Sequence, residues 1–167
     1  REFRLSVNYR SPKEVFDLAA EVVRRDYPKA DLPIAVRSTG IEPELERVSE
    51  ASLVSELTGR LDSLTELVPG TVGVIVPPSR IEKLREAVLK RLASELNAVD
   101  IDRVWFVTPL EAKGLEYDAV VVVSPDEIVT ESPGGVRVLY VALTRPTQRL
   151  ATLDVGESSG AWRGSRT

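Results

Sequence analysis

Two short stretches constrain this chain more than any other feature. Val72-Gly73-Val74-Ile75-Val76 and the run over 119–123 (Ala, then four Val) are apolar on both faces of the pleat. A strand with one face in water alternates apolar and polar residues. A strand apolar throughout belongs to a sheet covered on both sides, as parallel sheets are. Segments of helical period lie between such strands. Val15, Leu18, Ala19, Val22 and Val23 share one helical face, and Leu53, Leu57, Leu61 and Leu64 share another over about 50–66. Ile81, Leu84, Val88, Leu92 and Leu96 make a third, and 136–144 a fourth. Further strands are expected at 4–7, 104–107 and 150–155, with a short extended piece at Ile34-Ala35-Val36 in an otherwise irregular 28–44. Ser11-Pro12-Lys13-Glu14 and Ser79-Arg80-Ile81-Glu82 have capping-box spacing and should start helices. The alternation predicts an α/β fold, a three-layer sandwich around a mostly parallel sheet. In such sheets ligands gather at the carboxyl ends of the strands.

Absences narrow the chemistry. The 167 residues contain no Cys, His or Met. Disulfides, thiolate nucleophiles, imidazole metal sites and histidine acid–base catalysis are therefore excluded. No run approaches the ~20 apolar residues of a membrane span, so no membrane partner is expected and a cytoplasmic location follows. With 22 basic against 26 acidic residues, the net charge is -4. That balance predicts weak binding to DNA by this chain alone, because Lys and Arg supply most of such affinity. The first residue is Arg1, which predicts a piece of a longer polypeptide. One domain over 1–155 and a flexible tail over 156–167, rich in Gly, Ser and Arg, complete the expected layout.

Three segments place Arg or Lys beside hydroxyl and carboxylate groups next to a strand. Asn8-Tyr9-Arg10 follows the first strand. Thr108-Pro109-Leu110-Glu111-Ala112-Lys113-Gly114-Leu115-Glu116-Tyr117-Asp118 follows the strand at 104–107. Leu139-Tyr140-Val141-Ala142-Leu143-Thr144-Arg145 precedes the last strand. Guanidinium groups there suit a polyanion such as a nucleoside triphosphate. Singly, each segment also reads as an ordinary strand end, turn or helix terminus. Trp105, inside an apolar strand, reads as a core residue.

In this order and at these spacings, the three segments resemble motifs IV, V and VI of the second, C-terminal RecA-like domain of superfamily 1 helicases of the UvrD/Rep/PcrA kind. The resemblance runs over about 5–154. Val36-Arg37-Ser38-Thr39-Gly40 with Pro43-Glu44-Leu45 is similar to a segment of the helicase-IV and HelD-like branch. In that family ATP with Mg2+ lies between two RecA-like domains, and the first carries the P-loop. The resemblance implies that Tyr9 stacks on adenine and that Arg10 and Arg145 act as arginine fingers. It also implies that Glu116 holds the ribose, and that Thr108 and Lys113 lie toward nucleic acid or brace the loop. No P-loop sequence occurs here. The resemblance thus implies half an ATPase site, completed by an N-terminal RecA-like domain of the same polypeptide, in a nucleoid-associated DNA helicase. The alternative is a HelD-type factor acting on RNA polymerase. Pro125-Asp126-Glu127 is the nearest acidic pair to a Mg2+ site, and reads better as a solvated strand end.

Two positions depart from the family. Leu110 stands where motif V often has a histidine that touches the nucleic-acid backbone. Pro146 follows Arg145 where alanine is usual, and proline disfavours helical geometry in the residue before it.

Overall fold

A computed structural model describes residues 11–33, 35, 37–94, 99–156 and 161–163. Five strands build its centre: β1 (Glu44–Val48), β2 (Val72–Ile75), β3 (Val104–Val107), β4 (Tyr117–Val123) and β5 (Pro146–Val155). All neighbouring pairs are parallel, and the order across the sheet is β1-β5-β4-β2-β3. The helices are α1 (Lys13–Asp26), α2 (Leu53–Leu67), α3 (Ile81–Ser94), the single turn α4 (Pro109–Ala112), α5 (Pro125–Glu131) and α6 (Val136–Leu143).

Alternation along the strands makes two cores. Ile75, Val107, Val120, Val122 and Leu150 pack under α1, α5 and α6. Val72, Val74, Val121, Val123 and Leu153 pack under α2 and α3. This is the expected three-layer α/β fold. The helical faces behave as their spacing predicts: Leu53, Leu57, Leu61 and Leu64 are all buried, as are Leu84 and Val88. The expected strand over 4–7, the extended Ile34 and Val36, and Leu96 lie outside the described residues.

Several local expectations are corrected. β1 reads Glu-Leu-Glu-Arg-Val and has no strand signal, because it is an edge strand whose charges are used. Arg60 of α2 pairs with both Glu44 and Glu46, the latter at 2.6 Å. Helix α5 falls where only a strand end was expected. Asp126 accepts hydrogen bonds from the Ala161 and Trp162 amides, at 3.3 and 2.7 Å, and Glu127 pairs with Arg80 at 2.5 Å. That acidic pair is therefore structural rather than solvated or poised for Mg2+. Of the expected flexible tail, Ala161–Arg163 forms a 3-10 turn with Trp162 buried. Trp105 is 54% exposed, because β3 is the edge strand and the helices on its side pack over the inner strands.

Neither capping box forms at the expected serine. Pro12 occupies the N-cap of α1, and Glu14 turns away to the loop after Arg37. Ser79 lies before the N-cap of α3 and donates its amide and hydroxyl to Glu131. In both cases a partner distant in sequence wins over the local one.

Candidate nucleotide site

The segments that resemble motifs V and VI are connections that run back across the sheet. They end where β4 and β5 begin, so Glu116 and Arg145 meet at the amino ends of these strands, while Thr108 stays at the carboxyl end of β3. Tyr117 pairs with Pro146 at that edge. At the carboxyl edge Arg80 instead forms ion pairs with both Glu50 and Glu127.

Thr108 is the N-cap of α4, in a complete capping box. Its hydroxyl accepts from the Glu111 amide (3.3 Å), and Glu111 Oε1 accepts from the Thr108 amide (2.9 Å). Pro109, with its fixed φ, suits the first helical position. Lys113 is the exposed C-cap of this turn. Gly114 then adopts φ +84, a conformation that favours glycine, and reverses the chain toward Leu115 and Glu116.

Helix α6 stops at Leu143, two residues before Arg145. Pro146 cannot donate to the last turn and instead opens β5. Arg145 folds back: its Nε donates to Val141 O at 2.9 Å and its Nη1 to Leu115 O at 3.3 Å. Its own carbonyl accepts from the Tyr117 amide at 3.2 Å. The two segments are thus stitched together around one half-buried guanidinium. Burial lowers its pKa, while Glu116, Tyr140 and Tyr117 work in the opposite sense. An arginine remains protonated under such conditions. Tyr117 and Tyr140 hydroxyls are buried without a hydrogen-bond partner, and burial pushes Tyr140 up to about 12.

Tyr9 and Arg10 lie outside the described residues. Ser11, which follows them in sequence, donates its hydroxyl to Thr144 O (2.7 Å) and Pro146 O (3.3 Å). It is thereby tied to the carbonyls on either side of Arg145. The structure brings Glu116 close to Arg145. Thr108 stays with its capping box, and Lys113 is exposed at the end of the same turn.

Glu116 lines a cleft of about 420 Å3 with Arg37, Tyr117, Asp118 and Thr147. Arg37 and Thr147 were not foreseen as site residues. Arg37 lies in the segment already noted for its resemblance, which was the available signal. Thr147 carries none: it sits in a bulge, where Tyr117 and Ala119 pair with Pro146 and Arg149. The lining, two carboxylates with one guanidinium and the hydroxyl of Thr147, offers acceptors for the hydroxyls of a nucleotide sugar and a cation for its phosphate. Among the described residues, no group of three acidic side chains could hold a metal ion. No described helix is long and apolar enough to cross a membrane.

The five-stranded, all-parallel sheet with helices on both faces is an α/β fold that matches that of a helicase C-terminal domain. Among solved structures, the chain is similar to the C-terminal domain of a possible DNA helicase from Lactobacillus plantarum WCFS1. The two share 22% identity over 93% of this chain and 92% of that one, with a TM-score of 0.69. Residues 47–154 match the viral superfamily 1 RNA helicase core domain, and the chain belongs to that family. No curated protein sequence matches it.

Proposed function

We propose that this chain is the second RecA-like domain of an ATP-driven superfamily 1 helicase or translocase acting on DNA. It supplies half of a nucleotide site, and a P-loop domain of the same polypeptide supplies the other half. The observation that carries this reading is Arg145 anchored beside Glu116 at the amino ends of β4 and β5. Both anchors of Arg145 are neutral carbonyls. A phosphate offers charge-assisted bonds roughly twice as strong, so the side chain can exchange one set of partners for the other. ATP with Mg2+ supplies the phosphoryl chemistry when bound. Arg145 and Arg10 would stabilise charge on the transferred phosphoryl group, Tyr9 would stack on the base and Glu116 would accept from the ribose. Thr108, through its capping box, and Lys113 would link the loop to the strand.

The test is turnover by the full-length protein. Arg145→Ala should lower it by about 10³-fold, the scale of an arginine finger. Nucleotide binding should change much less, since these contacts strengthen in the transition state. Arg145→Lys should fail nearly as badly, because an ammonium cannot fork onto two oxygens. Near-normal turnover in Arg145→Ala refutes the assignment.

A second reading places the protein in the HelD-like branch, clearing RNA polymerase from nucleic acid. Leu110 favours it: the side chain is 80% exposed and offers no hydrogen bond to a phosphate. Association with RNA polymerase in a pull-down, beside poor unwinding of a tailed duplex, would select this reading. Strong processive unwinding with no association would select the first.

A further inference from the structure

Two clefts meet at the amino ends of β4 and β5, and Arg37 and Thr147 lie on both. The first is the Glu116 cleft, with two carboxylates, Glu116 and Asp118, in its wall. The second, of about 400 Å3, has Arg37, Thr39, Thr147, Gln148 and Arg149 as its polar lining, and none of its lining residues is acidic. The carboxylates therefore all lie in the first cleft, with Arg37 and Thr147 at its boundary with the second.

The segment bearing Arg37 is held from several sides. The Lys13 amide donates to Arg37 O at 2.6 Å, and the Arg37 guanidinium donates to Thr147 O. Glu14 clamps the next three residues, accepting from the Ser38 hydroxyl, the Thr39 amide and hydroxyl, and the Gly40 amide. Gly40 has φ +75, which suits the tight reversal there. The other wall is the bulge in β5, a device that re-aims side chains next to functional sites. This is more construction than a solvated arginine requires.

We propose that the second cleft is a subsite for a sugar-linked phosphate, recognised by Arg37 and Arg149, with the attached sugar in the Glu116 cleft. This rests on the reading of Glu116 as a sugar contact. Guanidinium groups fork onto phosphate oxygens, and the Thr147 hydroxyl and the Gln148 amide can donate to those that remain. The phosphate belongs to a free nucleotide, whose ribose hydroxyls can donate to Glu116, or to a DNA backbone, whose internal deoxyriboses cannot, and the experiment separates the two.

The chain is titrated at low salt with ADP and, separately, with a short oligothymidylate, following backbone amide shifts. Arg37→Ala, Arg149→Ala, Arg37→Lys and Glu116→Gln are compared with the parent. Binding should weaken by about tenfold in each alanine variant, the scale of a lost hydrogen bond to a charged group. Arg37→Lys should fall between. An effect on ADP alone assigns the site to a nucleotide phosphate, and an effect on the oligonucleotide alone assigns it to a strand. Unchanged affinity for both ligands in both alanine variants overturns the subsite. So does the absence of shifts at 37–41 and 147–149 with either ligand at millimolar concentration. Loss of binding in the arginine variants but not in Glu116→Gln keeps the subsite and removes Glu116 as the sugar contact. The reverse pattern removes the subsite alone.

Discussion

Trp162 anchors the last described turn through three kinds of contact. Its ring is 3% exposed, its Nε1 donates to Asp154 Oδ1 at 2.6 Å, and its carbonyl accepts from Arg25. Trp162→Ala should cost about 3–5 kcal/mol, the range for truncating a buried aromatic, read as a shift in the urea midpoint. Asp154 and Glu14 then give opposite pH dependences. Burial chiefly holds the Asp154 carboxyl above its ordinary value, despite the bond from Trp162. The native state therefore keeps that proton more tightly than the unfolded chain does. Stability from it is fully present below the ordinary value and is lost as pH rises through the folded one. Glu14 is held down to about 2, chiefly by the Ser38 hydroxyl and then by backbone amides including those of Thr39 and Gly40. Its contribution is present above the ordinary value of 4.5 and disappears as pH falls toward 2. Urea unfolding across pH should show Asp154→Asn losing less stability than the parent between acid and neutral pH. Glu14→Gln should flatten the acid side. The same slopes in parent and variants would contradict both assignments.

At the scale of elements, the end of α2 depends on a residue from another segment. Arg103 donates Nε to Gly70 O (2.8 Å) and Nη1 to Thr65 O (3.0 Å), and it also reaches Val68 O. One guanidinium thus satisfies carbonyls that the helix end leaves open. Arg103→Ala should destabilise by about 1.5–3 kcal/mol, as for hydrogen bonds to a charged group. Arg103→Lys should recover part of this, measured by denaturant unfolding. Gly73 in β2 is a second such point. A Cβ there would meet the Tyr117 ring at 2.8 Å, so Gly73→Ala should cost about 1–3 kcal/mol by overpacking. It should also disturb the Glu116 cleft that Tyr117 lines. Helices were legible in the sequence wherever leucine and valine recur at helical spacing, because that period alone decides which face is buried. β1 was not, because an edge strand needs few apolar residues and its glutamates look like loop until Arg60 is seen opposite them. Nor was the pairing of Ser11 with Thr144, since a serine followed by proline looks like a helix cap from sequence alone.

For the whole molecule, the expected behaviour of the isolated chain is folding without ATP turnover. No P-loop lysine is present in its sequence, and in P-loop NTPases that group and its loop, with Mg2+, cradle the β- and γ-phosphates. Mg2+-dependent hydrolysis by a clean preparation, lost on Arg145→Ala, would overturn this expectation. The doubly apolar strands alternating with helical periods determined the layered fold, and the three segments that resemble motifs IV, V and VI made Glu116 and Arg145 candidates. Those are properties of short segments, and short segments carry them intact. The edge of the sheet on which Glu116 and Arg145 meet was decided only in three dimensions, because it depends on where the two return connections end. The exposure of Trp105, the burial of Trp162, and the meeting of Arg37 with Thr147 and Arg149 were decided there too. Each depends on which distant segment lies alongside, and residue spacing within one segment holds no information about that.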